Sequence, residues 1–190
     1  TQVAASALQA EGIAAQKILV TGNTVVDAIL QTCQRWEDGS PADVPPEVKS
    51  FVAEVPFALI TCHRRENFGE VMEAICRMLQ RLCERYPGYR WVFPVHLNPA
   101  VREPVMRLLG NLPNLLLIDP VDYQTSLYLI SQASLVVSDS GGIQEEAPTF
   151  GTPVVVMRQH TERMEGVRAG FATLAGQNPL MIEAAVDAWL

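Results

Sequence analysis

Residues 134–146 read SLVVSDSGGIQEE, and the fold can be argued outward from them. An apolar run, Leu135-Val136-Val137, passes through Ser138-Asp139-Ser140 into Gly141-Gly142 and then straight into a helical pattern. A buried strand that enters a helix through paired glycines is a cradle for phosphate: the glycines let an anion approach the backbone, and the first free N–H groups and the positive dipole end of the helix point at it. Glu146 stands four residues after Gly142 and so shares a helix face with the turn, where a carboxylate suits the hydroxyls of a ribose. The plainer alternative makes Ser140 a simple helix cap, but a capping box would place Glu or Gln at position 143, where Ile143 sits. Pro148 removes a helical hydrogen bond and Gly151 can supply a left-handed end, so the helix is expected to be short.

Similar apolar runs recur along the chain, at 17–20 (KILV), 57–62 (FALITC), 91–95 (WVFPV), 115–118 (LLLI), 134–138 (SLVVS) and 153–157 (PVVVM). Continuous rather than alternating hydrophobicity suits strands covered on both faces. Between them lie helical stripes, the longest being Val71, Ile75, Met78, Leu79 and Leu82, with shorter ones over 101–109 and 126–132. Alternation of strand and helix through short connections predicts an α/β fold, a doubly wound parallel sheet of Rossmann-like type with right-handed crossovers. The polar stretch 37–46 (EDGSPADVPP) is expected to be a loop.

With 190 residues and 48% hydrophobic content, the chain can bury one sizeable core with extra pieces. It carries 21 carboxylates against 14 basic residues, with no basic stripe, so nucleic acid is not an expected partner. Four cysteines, at 33, 62, 76 and 83, show neither a Cys-x-x-Cys pair nor a Cys/His ligand spacing. That pattern argues against a zinc or other metal site and against a disulfide framework, and points to a reducing cytoplasm. No apolar run approaches the ~20 residues of a membrane span. The chain opens on Thr1 and stops at Trp189-Leu190 inside a helical pattern without a cap, so both ends are expected to be cut from a longer protein.

Chemically capable residues collect where the strands stop: His63-Arg64-Arg65-Glu66-Asn67, His96, Asp119, Asp139-Ser140 and Arg158. In an open parallel sheet the crevice outside the carboxyl ends of the strands binds ligands, so these segments should converge on one site. His63 is flanked by two arginines, whose charges disfavour its protonated form and leave an imidazole able to act as base or hydrogen-bond partner; the alternative is a histidine that ties a loop together. His96, in PVHLNP, sits in a proline-rigid turn where ring and amide could simply satisfy backbone groups. Arg163 could fork onto a diphosphate or pair with Glu162 or Glu165. His160 has no evident partner and is expected in an exposed loop. Met72, Cys76 and Cys83 fall on a core-facing helix side as packing residues.

Taken in order, VTGNTVVDAI (20–29), ITCHRREN (60–67), FPVHLNP (93–99), SDSGGIQEEAP (138–148) and GTPVVVMR with TER (151–163) give a sequence that resembles the bacterial UDP-N-acetylglucosamine 2-epimerases over nearly its whole length. The resemblance implies the nucleotide-binding, carboxyl-terminal half of a glycosyltransferase-B type fold, with residues 1–20 trailing from a missing amino-terminal domain and 21–190 forming a Rossmann-like UDP-sugar-binding domain. It implies interconversion of UDP-GlcNAc and UDP-ManNAc at sugar C2 by elimination and re-addition of UDP, without metal or redox cofactor. By position, Ser140, Gly141 and Gly142 would hold the diphosphate, Glu146 the ribose and Arg163 the phosphates. His63 would be the catalytic histidine, and Arg64 and His96 match an effector site of non-hydrolysing members. The acid/base carboxylates of the family lie in the other domain, so this chain alone should be inactive, and the full-length protein is expected to be a homodimer. A UDP-sugar glycosyltransferase half and a hydrolysing epimerase are the alternatives. Two departures stand out: Ser126 replaces an aromatic residue near the uracil, and Met164 follows Arg163 where relatives favour proline.

Overall fold

The structure, a computed structural model, describes residues 1–190. It divides into two compact units, Thr1–Ser40 and Pro41–Leu190. The first contains α1 (Gln2–Ala10), capped by the Thr1 hydroxyl, which accepts from the Ala4 N–H at 3.3 Å, then a single 3₁₀ turn (Ala15–Lys17) and α2 (Thr24–Glu37). Asn23 caps α2 by accepting from the Val25 N–H at 3.1 Å. The strand expected at 17–20 is absent: Leu19 is 84% exposed and Val20 47%. This unit contains no strand, and a short apolar run without a neighbouring edge has nothing to pair with.

The second unit begins with α3 (Pro46–Val52), whose first-turn proline has its backbone angle preset for a helix. It then alternates: β1 (Phe57–Thr61), α4 (Glu70–Arg85), β2 (Arg90–Pro94), α5 (Pro99–Leu109), β3 (Leu115–Ile118), α6 (Tyr123–Gln132), β4 (Leu135–Ser138), α7 (Ile143–Glu146), β5 (Val154–Val156), α8 (Met164–Arg168), β6 (Ala172–Leu174) and α9 (Pro179–Asp187). All five strand pairings are parallel and the order across the sheet is β3-β2-β1-β4-β5-β6. This is the doubly wound α/β fold expected. Register places Leu59 beside Val92 on one side and Val136 on the other, all buried.

The stripe on α4 does what its spacing predicts: Ile75, Met78, Leu79 and Leu82 are fully buried, and with Met72, Cys76 and Cys83 they pack on the sheet. Each large apolar side chain so buried contributes roughly 1.5–3 kcal/mol. Arginines on the outer side clip α4 to α9: Arg85 meets Asp187 at 2.7 Å and Glu183 at 2.9 Å, and Arg81 Nε donates to Glu183 at 2.9 Å. Helix α7 is short, as Pro148 and Gly151 predict. It passes into a 3₁₀ turn (Ala147–Phe150) that ends at Gly151 with φ of 73°. Strand β6 escapes sequence reasoning because Ala172-Thr173-Leu174 is no apolar run, although left-handed Gly170 and Gly176 bracket it. No helix is long and apolar enough to cross a membrane.

Winding proceeds outward from β1 in one direction and from β4 in the other. The crevice at the carboxyl ends of β1 and β4 is therefore the topological switch point, where open α/β sheets bind their ligands.

Candidate functional site

At the switch point the two central strands are laced together. The Thr61 and Ser138 hydroxyls lie 2.6 Å apart, and Ser138 Oγ also accepts the Ser140 N–H at 2.9 Å, which turns the chain out of β4. Between them Asp139 is fully buried and sends its carboxylate across to the loop after β1. There it accepts from the backbone N–H of His63 at 2.9 Å, the backbone N–H of Arg64 at 2.8 Å, the Asn67 side-chain amide at 2.9 Å and the Cys62 thiol at 3.4 Å. His63 Nδ1 stands 3.2 Å from the other carboxylate oxygen. Burying a carboxylate is costly unless donors surround it, and this one is surrounded. Burial, reinforced by Asp139, pushes the Cys62 thiol well above its ordinary range. Asn67 is held in turn by Gln177, whose amide donates to Asn67 Oδ1 at 2.7 Å. Arg64 and Arg65 follow His63 in the sequence, yet the charge that meets its ring is the Asp139 carboxylate.

The His63 ring is about half exposed and stacks on His96, with centroids 6.1 Å apart and planes 23° from parallel. The Asn98 N–H donates to His96 Nδ1 at 3.1 Å, so the proline-flanked turn does use this imidazole to satisfy backbone. Arg64 lies 3.8 Å from Glu66, whose other oxygen is 3.8 Å from Arg158; Arg158, 11% exposed, reaches Glu162 at 3.3 Å.

On the β4 side, the N–H groups of Gly141, Gly142 and Ile143 donate to no protein atom, and no side chain caps α7, Ser140 included. The guanidinium of Arg163 rests on the turn: a Cβ at Gly141 would stand 3.2 Å from its Cζ and Nη1. Being a cation, it leaves these N–H donors without an acceptor. Arg163 Nε lies 3.0 Å from Glu145 and Nη1 contacts Glu162, while Glu165 is not a partner. A chain of hydrogen bonds sets the loop that carries it. The Arg163 N–H donates to Thr161 Oγ1 at 3.1 Å, that hydroxyl donates to Gln144 Oε1 at 2.6 Å, and Gln144 Nε2 donates to the Ser140 carbonyl at 3.0 Å.

Glu146 faces the same turn, with Oε1 3.8 Å from where a Gly142 Cβ would be. Burial chiefly, and Glu145 secondarily, raise its carboxyl above the usual carboxylate range. Tyr123, at the start of α6, has its phenol raised by burial and by Glu146, while Ser126 on the same helix is half-buried.

The structure thus gathers His63, Arg64 and His96 on the β1–β2 side and Ser140, Gly141, Gly142, Glu146 and Arg163 on the β4–β5 side. Asp139 belongs to both, its carboxylate to the first group and its backbone to the second. His160 is exposed, as expected. Sequence reasoning passed over Asp139, Asn67, Gln144 and Thr161 as organisers. Position after a strand was a weak signal: Asp119 follows the wholly apolar β3 directly and its side chain is 74% exposed. What sets Asp139 apart is that β4 lies in the middle of the sheet and β3 at its edge, which depends on strand order.

Comparison with known proteins accords with this arrangement. The family model described as UDP-N-acetylglucosamine 2-epimerase matches residues 1–190. A probable UDP-N-acetylglucosamine 2-epimerase of Ralstonia solanacearum is 45% identical over 179 residues, which cover 93% of this chain and 47% of that protein. Among solved structures, the UDP-GlcNAc 2-epimerase from Neisseria meningitidis bound to UDP-GlcNAc superposes with a TM-score of 0.87 at 38% identity, over 96% of this chain and 50% of that one. Staphylococcus aureus MnaA in its UDP co-structure gives 0.88 at 38% identity, over 98% and 49%. The chain spans about half the length of the relatives it matches. With a strand order, a glycine turn and a family match that all agree, this chain belongs to the UDP-N-acetylglucosamine 2-epimerase family.

Proposed function

We propose that this chain is the UDP-binding half of a non-hydrolysing UDP-GlcNAc 2-epimerase, working with an amino-terminal half in a homodimer and binding UDP without turnover on its own. The observation that carries this is the open turn at Gly141-Gly142, with unshared N–H donors beneath the Arg163 guanidinium, placed beside His63 at the switch point. As the glycosidic bond breaks, negative charge grows on the departing diphosphate. Preorganised donors aimed at that charge lower the barrier without having to reorganise. Arg163, paired with Glu145 and Glu162 in the free chain, exchanges these for phosphate oxygens, a change that favours a polyanion over a neutral ligand. Glu146 receives the ribose hydroxyls. His63 works from the opposite lip as the catalytic histidine, and the carboxylates that move the C2 proton come from the other half. Arg64 and His96 form the effector side, and the stack of His96 on His63 puts the two in contact.

Calorimetry on the 190-residue chain tests the binding part. UDP should bind and uridine should bind at least about tenfold more weakly, the loss of one charge-assisted contact or more; equal, feeble binding of both by a folded sample refutes it. Joined to its amino-terminal half, the protein should exchange the C2 hydrogen of UDP-GlcNAc with solvent deuterium. Retention of that hydrogen points to glycosyl transfer, and accumulation of free UDP to hydrolysis.

A further inference from the structure

The Asp139 carboxylate is the one fully buried charge at the switch point, and its donors all come from a single short segment, residues 62–67. A carboxylate accepts and cannot donate, so each polar atom close to it has to carry a hydrogen. For the backbone N–H groups and the Asn67 amide this is automatic. His63 is the only neighbour with a choice, since a neutral imidazole carries its proton on either nitrogen. Nδ1 lies 3.2 Å from Asp139 Oδ1, and no protein group shares Nε2.

We propose that Asp139 is a positioning residue that locks His63 as the Nδ1–H tautomer, leaving Nε2 as the unprotonated nitrogen offered to substrate. The neighbouring ring is set the opposite way. The Asn98 N–H occupies His96 Nδ1, so His96 carries its hydrogen on Nε2. Two stacked imidazoles 6.1 Å apart therefore differ in which nitrogen can accept, and only His63 presents a free acceptor. Because Asp139 is peptide-bonded to Ser140, the group that orients the ring is also the residue next to the phosphate turn. The assignment extends the proposed role of His63, but the tautomer itself is independent of whether UDP binds.

Long-range ¹⁵N–¹H spectra of the imidazoles in the 190-residue chain test this, with His63 assigned by loss of its signals in His63→Gln. The expected spectrum shows His63 Nε2 with the shift of an unprotonated nitrogen and Nδ1 with that of a protonated one, and the reverse for His96. In Asp139→Asn the oxygen of the amide should stay with the donors of Arg64 and Asn67, which turns its NH₂ toward His63 Nδ1. The His63 pattern should then invert, a change that a merely structural role for Asp139 would not produce. A wild-type spectrum with Nδ1 unprotonated overturns the assignment outright, and so does an unchanged pattern in folded Asp139→Asn. If that variant fails to fold, the wild-type spectrum alone decides. A wild-type chain with the expected tautomers that ignores UDP would defeat the proposed function and leave this assignment standing.

Discussion

Replacing Gly141 by Ala separates the proposed phosphate contact from everything the fold needs. The backbone at Gly141 is not left-handed, so alanine fits its conformation. A residue that fits loses less chain entropy on folding than glycine does, which adds about 0.4–1 kcal/mol to stability. The new methyl group, however, would sit 3.2 Å from Arg163 Cζ and Nη1 and 3.5 Å from Nε. That is closer than carbon comfortably approaches, so Arg163, already held by Glu145 and Glu162, has to give by a few tenths of an ångström. The methyl group also covers the backbone that the diphosphate would approach. Losing one charge-assisted hydrogen bond costs roughly 1.5–3 kcal/mol, or roughly 10- to 150-fold in affinity for UDP. Uridine, lacking phosphate, should not notice. Calorimetry with both ligands and a thermal melt of the same protein give the result: a melting temperature unchanged or raised, with UDP binding weakened. If UDP affinity in the folded variant stays within about twofold of wild type, well inside the loss of one such bond, the diphosphate does not sit on this turn.

Charges and thiols supply two further tests. Glu146 has a carboxyl raised in the folded chain, chiefly by burial, so folding is penalised once the unfolded chain can ionise it. The penalty is absent below the ordinary carboxylate value of ~4.3, grows as pH rises toward the elevated folded value, and is complete above that. Glu146→Gln should thus melt higher than wild type at neutral pH, and the gap should close on acidification; a gap that persists in acid would show that charge is not its origin. Burial pushes the Cys76 and Cys83 thiols up to about 12 and raises Cys62 strongly, whereas Cys33 is only partly buried and only modestly raised. Since the thiolate is the reactive form, a disulfide reagent in mildly alkaline buffer should consume Cys33 quickly in the native chain and all four cysteines after unfolding. Rapid native-state reaction of Cys76 or Cys83 would contradict the packing of α4, and that of Cys62 its burial against Asp139.

Much of this architecture could be read from local sequence because its determinants are local. A run such as Leu135-Val136-Val137 that leads into paired glycines leaves little room for a helix, and the spacing of Ile75, Leu79 and Leu82 names its own buried face. Failures came where pairing partners decide the outcome. Lys17-Ile18-Leu19-Val20 has the composition of a strand and no edge to join, while Ala172-Thr173-Leu174 lacks that composition and is drawn into the sheet by the edge of β5. The candidate site divides in the same way. The glycine turn, Glu146 and Arg163 fall within one stretch, residues 140–163, and could be read together, whereas the grip of Asp139 on His63 spans 76 residues and depends on strand order.

That long separation also bears on how the protein is made. Neighbours β1 and β4 are linked through residues 77 apart, and contacts between remote chain segments form late because loop closure has to come first. A nascent polypeptide released only as far as β3 would own His63 and His96 yet have no carboxylate to orient the first and no glycine turn to receive a nucleotide. A site assembled from both segments is therefore complete only once β4 and the turn after it have joined β1 in the sheet.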